Sequence, residues 1–100
     1  MYRTRIAVPE DIMEEFCRQH HIRKLAFFGS VVRDDFGPDS DVDVLVEFDP
    51  GHVPGLAFFA IEDGLSRILG RKVDLNTPQF LSAPVRAEVL AETEVHYVAT

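Results

Sequence analysis

Gly29–Glu47 reads GSVVRDDFGPDSDVDVLVE, and its two ends carry different chemistry. Upstream, Lys24–Phe28 (KLAFF) has the apolar run of a short buried strand, and Gly29 ends it. Glycine at such a point lets the backbone come close to a ligand. If Ser30 to Asp35 makes one or two helical turns, its free N–H groups can hold phosphate oxygens, and the Ser30 hydroxyl adds a donor. Downstream, Gly37, Pro38, Asp39 and Ser40 are turn formers, and Asp41–Phe48 reads as a central strand. Residues two apart in a strand share a face, so Asp41 and Asp43 stand side by side while Val42 and Val44 turn into a core. Adjacent carboxylates repel unless a cation lies between them, and an all-oxygen cluster suits Mg²⁺. Either end alone is unremarkable chemistry: an ordinary glycine–serine turn, or a solvated strand end. The fixed distance between them is what makes the stretch informative.

The flanks give the stretch a setting. Pro9 opens a helical pattern with Ile12, Met13, Phe16 and Cys17 on one face and acids in the first turn, where they suit the helix dipole. Asp49–Gly55 is a loop. Leu56–Leu69 carries an apolar stripe of Phe58, Ile61, Leu65, Ile68 and Leu69, with Gly70 placed as a C-terminal cap. Lys72–Asn76 (KVDLN) reads as a third strand, Pro84–Leu90 as another helix, and Glu94–Val98 as a final strand or extended tail. Helices alternating with strands predict an α/β or α+β domain, built on a small mixed sheet and occupying residues 1–100 as one unit.

Asp74 adds a third carboxylate. Val73 and Leu75 face one side of its strand and Asp74 the other, and an acid in mid-strand is out of character unless that face is wet or metal-bound. If this strand lies beside Asp41–Phe48, three aspartates converge and could hold two Mg²⁺ ions for an in-line displacement. Asp74 would then be the best candidate to help deprotonate an acceptor hydroxyl.

The bulk numbers set limits. The chain has 100 residues, 46% hydrophobic and 27% charged, which is the balance of one globular domain. Its net charge of −7 argues against direct nucleic-acid binding, which needs lysines and arginines for phosphate contacts. The single cysteine, Cys17, permits no internal disulfide. Neither a signal-peptide core nor an apolar run of the roughly 20 residues a membrane helix needs is visible, so no membrane is expected and the cytoplasm is the expected compartment.

In combination, Gly29-Ser30-x-x-Arg33 and Ser40-Asp41-x-Asp43 resemble the DNA polymerase β-like nucleotidyltransferase superfamily, and its smallest members, the minimal nucleotidyltransferases. The resemblance is tight over about twenty central residues. It implies a palm-like mixed sheet with helices on one face, and ATP or another NTP as donor. It further implies Mg²⁺ held by Asp41, Asp43 and Asp74, and a nucleotide-binding set of Gly29, Ser30, Arg33 and Ser40. Small proteins of this kind are commonly antitoxins of HEPN-domain ribonuclease toxins, and some place AMP on a toxin tyrosine. A chain of this size would need its acceptor delivered by such a partner. Two other readings stay open: an antitoxin that neutralises by binding alone, and a nucleotidyltransferase acting on a small molecule. The chain departs from its relatives at Asp34 and Asp35, where extra negative charge would weaken nucleotide binding unless both acids face solvent.

Other residues invite plainer readings. Cys17 fits core packing, and His20 and His21 a helix end. His52 has no partner at metal-ligand spacing. Arg71 and Lys72 are either phosphate or partner contacts or a surface pair. Phe58 and Phe59 are neighbours, so one of them must leave the core. His96 and Tyr97 fit an edge strand or a docking surface.

Overall fold

Among the described residues, four strands and three α-helices follow the predicted order. The computed structural model describes residues 6–33 and 36–99, so the expectation attached to Asp34 and Asp35 lies outside the described residues. The helix α1 spans Glu10–Gln19, entered from Pro9. The strand β1 spans Ile22–Phe28, two residues longer at its start than predicted because Ile22 is itself buried. β2 spans Val42–Phe48, α2 Ala57–Leu69, β3 Val73–Asn76, α3 Ala83–Glu92 and β4 Glu94–Val98. Gly70, at φ 68°, ends α2 in the left-handed conformation expected of a C-terminal glycine. Glu94–Val98 is a strand: it pairs antiparallel with β1.

The sheet order is β3-β2-β1-β4, with β1 antiparallel to both β2 and β4, and β2 parallel to β3. This is a mixed sheet, as expected. Strand alternation divides it into two unlike faces. Leu25, Phe27, Val42, Val44, Val46, Val73 and Leu75 project to one side, where Met13 and Cys17 of α1 and Phe58, Ile61 and Leu65 of α2 complete the main core. Burying each large apolar side chain there contributes about 1.5–3 kcal/mol. Phe28 and Leu45 project to the other side and meet Val89 of α3 and Leu81 in a smaller cluster. Asp43 and Asp74 share that second face.

Two expectations about apolar residues meet corrections. Ile12 is 57% exposed: the buried stripe of α1 runs through Met13 and Cys17 with Phe16 on its flank, and Ile12 falls one position off it. The segment from Gly29 is a single 3₁₀ helix over Gly29–Val32 and not longer helical turns, because Val31 and Val32 are both drawn into the core and Arg33 is already extended. Phe58 and Phe59 divide as their adjacency requires, with Phe58 buried and Phe59 65% exposed. Burial pushes the Cys17 thiol up to about 12, which leaves it an inert packing group. Each of the four histidines rests on another ring: His20 on Phe16, His21 on His52, and His96 edge-on to Phe27. Among the described residues no helix is long and apolar enough to cross a membrane.

At the outer side of β3, α2 supplies side chains in place of a neighbouring strand. Glu62 Oε2 accepts the Leu75 N–H at 2.9 Å, and Ser66 Oγ accepts the Val73 N–H at 3.0 Å while donating to the Glu62 carbonyl. These bonds bracket Asp74 from both sides and hold its backbone in register. Replacing Glu62 with alanine removes a charge-assisted bond and is expected to lower stability by about 1–3 kcal/mol. Denaturant unfolding measures the loss, and hydrogen exchange should show the Leu75 amide losing protection first.

Candidate active site

The site grows from one register. Phe28 lies opposite Asp43 in the β1–β2 ladder, so the chain leaving β1 at Gly29 passes directly over the Asp43 carboxylate. Gly29 has φ +73°, and a Cβ at this position would lie 2.2 Å from Asp43 Oδ2. Only glycine meets both conditions. Beyond it, Val31 and Val32 are anchored in the core while Ser30 is half-buried and the Arg33 side chain is largely exposed. The 3₁₀ helix is too short for an appreciable dipole, so anion affinity here rests on single N–H groups, the Ser30 hydroxyl and the Arg33 guanidinium.

Asp41 emerges from a braced corner. Arg71 Nη2 donates to the carbonyls of Gly37 and Ser40 at 2.7 and 2.8 Å, and its guanidinium lies 4.5 Å from the centre of the Phe36 ring. The Ser40 hydroxyl accepts the Gly37 N–H at 3.0 Å, so here it closes the turn. The Val42 N–H then bonds the Lys72 carbonyl at 2.8 Å and starts the parallel ladder. Arg71 is thus a positioning residue, a role its sequence neighbourhood left undecided. Lys72 Nζ stands 4.0 Å from Asp41 Oδ2 with both side chains exposed, a contact of little energetic weight.

In that ladder Asp43 pairs with Asp74, so the two carboxylates start from neighbouring positions on one face, and Asp41 lies two residues earlier, just before β2 begins at Val42 rather than inside it as expected. The Asp43 carboxyl is pushed up to about 6 from 3.8. Burial is the largest cause; the charges of Asp74 and Asp41 add to it, Arg33 opposes it, and Glu92 adds to it again. As the side chains stand, no three His, Cys, Asp or Glu groups among the described residues close around a common metal position. The donor chemistry nevertheless suits Mg²⁺. All three groups are carboxylates on one face, and their mutual repulsion is the kind that a hard divalent cation relieves. Two cavities among the described residues lie elsewhere. One, of about 470 Å³, lies between α1 and β4, and one of about 320 Å³ is lined by Val53, Phe58 and Phe80. The aspartate face itself is open.

Glu92, which carries no motif, also belongs to the site. Its Oε1 accepts the Gly29 N–H at 3.2 Å, and Arg33 Nη1 lies 3.4 Å from Oε2. The structure thus sets Gly29 over Asp43, pairs Asp43 with Asp74 across the β2–β3 ladder, and brings Arg33 against Glu92. The contact with Glu92 spans 63 residues, and no local pattern announces it.

Residues 10–96 match the family described as the nucleotidyltransferase domain. The chain belongs to this family. It is accordingly a nucleotidyltransferase enzyme, and its relatives agree. It is 36% identical over 80 residues to a protein adenylyltransferase, MntA, from Thermococcus cleftensis, a match covering 79% of each chain. It superposes with a TM-score of 0.72 on a structure described as a candidate minimal nucleotidyltransferase, at 30% identity and covering 85% of this chain and 86% of that one. A toxin–antitoxin crystal structure with AMP-PNP shares the fold, with a TM-score of 0.74 at 18% identity over 93% of this chain and 76% of that one.

Because folded Asp43 holds its proton to about 6 and an unfolded aspartate only to 3.8, its contribution to stability is fully present below that window and is lost as pH rises through it. Asp43→Asn removes the effect. Without divalent ions, the melting temperature of the variant should match that of the wild type near pH 4 and exceed it at pH 7. Equal differences at both pH values would refute the linkage. Gly29→Ala combines a left-handed backbone with overlap on Asp43. It should lose at least about 2 kcal/mol by chemical denaturation, well beyond an ordinary surface change.

Proposed function

We propose that this nucleotidyltransferase is a cytoplasmic, Mg²⁺-dependent protein adenylyltransferase that acts as an antitoxin. Its acceptor is a hydroxyl, most simply a tyrosine, on a HEPN-domain toxin with which it forms a complex. The observation that carries the reading is the register that sets Asp43 beside Asp74 and beneath Gly29. On this reading the Gly29 turn serves the phosphates and the aspartate face the cation, and the register keeps the two within one side-chain length. The similarity to a protein adenylyltransferase supports the reaction, and the shared fold with a toxin–antitoxin structure holding AMP-PNP supports the partner class and the nucleotide.

The chemistry assigned to each residue follows from its place. The Gly29 N–H, the Ser30 hydroxyl and the Arg33 guanidinium bind triphosphate oxygens and orient the donor; Ser40 serves the nucleotide indirectly by closing the turn that presents Asp41. The acceptor oxygen attacks the α-phosphorus in line, a P–O bond forms to AMP, and the bond to the β-phosphate oxygen breaks to release pyrophosphate. Asp74, on the open face, takes the acceptor's proton. Asp41, Asp43 and Asp74 would hold Mg²⁺, which supplies charge neutralisation to the triphosphate. A toxin chain delivers the hydroxyl, and the exposed Phe59, Leu56 and Val53 offer it apolar contact area.

A second reading, neutralisation by binding without transfer, is favoured by the Glu92 carboxylate facing two of the phosphate donors. One experiment separates the two. The protein, its partner, ATP and Mg²⁺ are incubated and the partner's intact mass is measured; the expected result is a gain of one or more AMP units. Asp41→Asn and Asp43→Asn should each reduce transfer by at least about a hundredfold. Neutralisation that persists unchanged in both variants would leave the binding reading standing, and AMP appearing on a small molecule would remove the antitoxin.

A further inference from the structure

Glu92 is the last residue of α3, and nothing about that position favours an acid. A helix C-terminus carries partial negative charge, and α3 has no basic residue in its last turn to offset it. The carboxylate also lies near enough to Asp43 for its charge to act there. Yet the side chain is only 22% exposed and turns inward. What holds it are the Gly29 N–H, at 3.2 Å, and Arg33 Nη1, at 3.5 and 3.4 Å from its two oxygens. These distances exceed the roughly 2.7–2.9 Å of a tight charge-assisted bond. A weakly held anion, repelled from two sides, faces the donors assigned above to the triphosphate.

We infer that the Glu92 carboxylate is an internal occupant of the phosphate seat, which nucleotide must displace, and that it thereby sets the affinity of the enzyme for ATP. The inference rests on the proposed seating of the triphosphate at Gly29, Ser30 and Arg33. The Gly29 N–H carries one hydrogen and serves one strong acceptor at a time. A triphosphate brings more charge to Arg33 than a carboxylate does, so it can win the exchange, but its apparent affinity is lowered by the fraction of molecules in which Glu92 is seated. The opposite role for Glu92 would be scaffolding, in which its bonds shape the Gly29 turn for the nucleotide.

Dissociation constants for Mg²⁺–ATP, measured by calorimetry on the wild type, Glu92→Gln and Glu92→Ala, distinguish these roles. Glutamine keeps an acceptor for the Gly29 N–H and loses the charge facing Arg33; alanine loses both. If Glu92 is seated in about nine molecules of ten, each variant should bind ATP about tenfold more tightly. Melting curves establish that both variants are folded. Unchanged or weaker affinity in either variant overturns the competition and leaves Glu92 as scaffold. Arg33→Ala, measured in parallel, should weaken binding and keeps the seating itself under test. Absence of ATP binding in the wild type and all variants would overturn this inference together with the seating on which it rests.

Discussion

Two aspartates held opposite one another in a parallel ladder are the constraint around which the molecule is arranged. Asp43 and Asp74 are paired by backbone hydrogen bonds that leave their carboxylates no choice of neighbour. Burial first, and then the like charges of Asp74 and Asp41, raise the proton affinity of Asp43. The remainder of the fold supplies what keeps the arrangement. The main core lies wholly on the far face of the sheet, where Val42, Val44, Val73 and Leu75 alternate with the acids and tie both strands down. A strained polar face is thus carried by the apolar face of the same strands.

The supporting contacts are backbone-directed, which is why they position rather than participate. Arg71 braces the corner before Asp41 through two carbonyls, and Glu62 with Ser66 fixes the N–H groups on either side of Asp74. Gly29 acts by having no side chain at all, leaving room for the Asp43 carboxylate beneath the turn. Each device leaves the carboxylate oxygens uncommitted.

Much of this was legible in the sequence because the decisive features are local. Alternation in Asp41–Phe48 and in Val73–Leu75 assigned the acids to one face and the core to the other, and the helical stripe of Leu56–Leu69 needed only its spacing. The family pattern added the link between the strand end at Gly29 and the acids downstream. What escaped depends on distance or on packing volume. Ile12 has the periodicity of a core residue, but the stripe it was assigned to is narrower than the pattern suggests. Val31 and Val32 contract the expected helical turns into a single 3₁₀ segment because both are buried, and adjacent buried residues cannot be read from a periodicity. Arg71 and Glu92 act on partners at least 31 residues away, across contacts that no window along the chain can contain.

The contrast in those separations has a consequence for how the molecule comes together. Ser66 and Glu62 reach β3 across 7 and 13 residues, so α2 and β3 close on each other as a local unit with little loop entropy to overcome. The β1–β2 ladder that seats Asp43 likewise joins chain neighbours. The Glu92 contacts close loops of 59 and 63 residues and require α3 to be docked already. Short-range structure forms ahead of long-range structure when loop closure governs the rate. By that criterion the contacts within α2–β3 and β1–β2 cost less to close than those of Glu92, which share their long loops with the β1–β4 ladder.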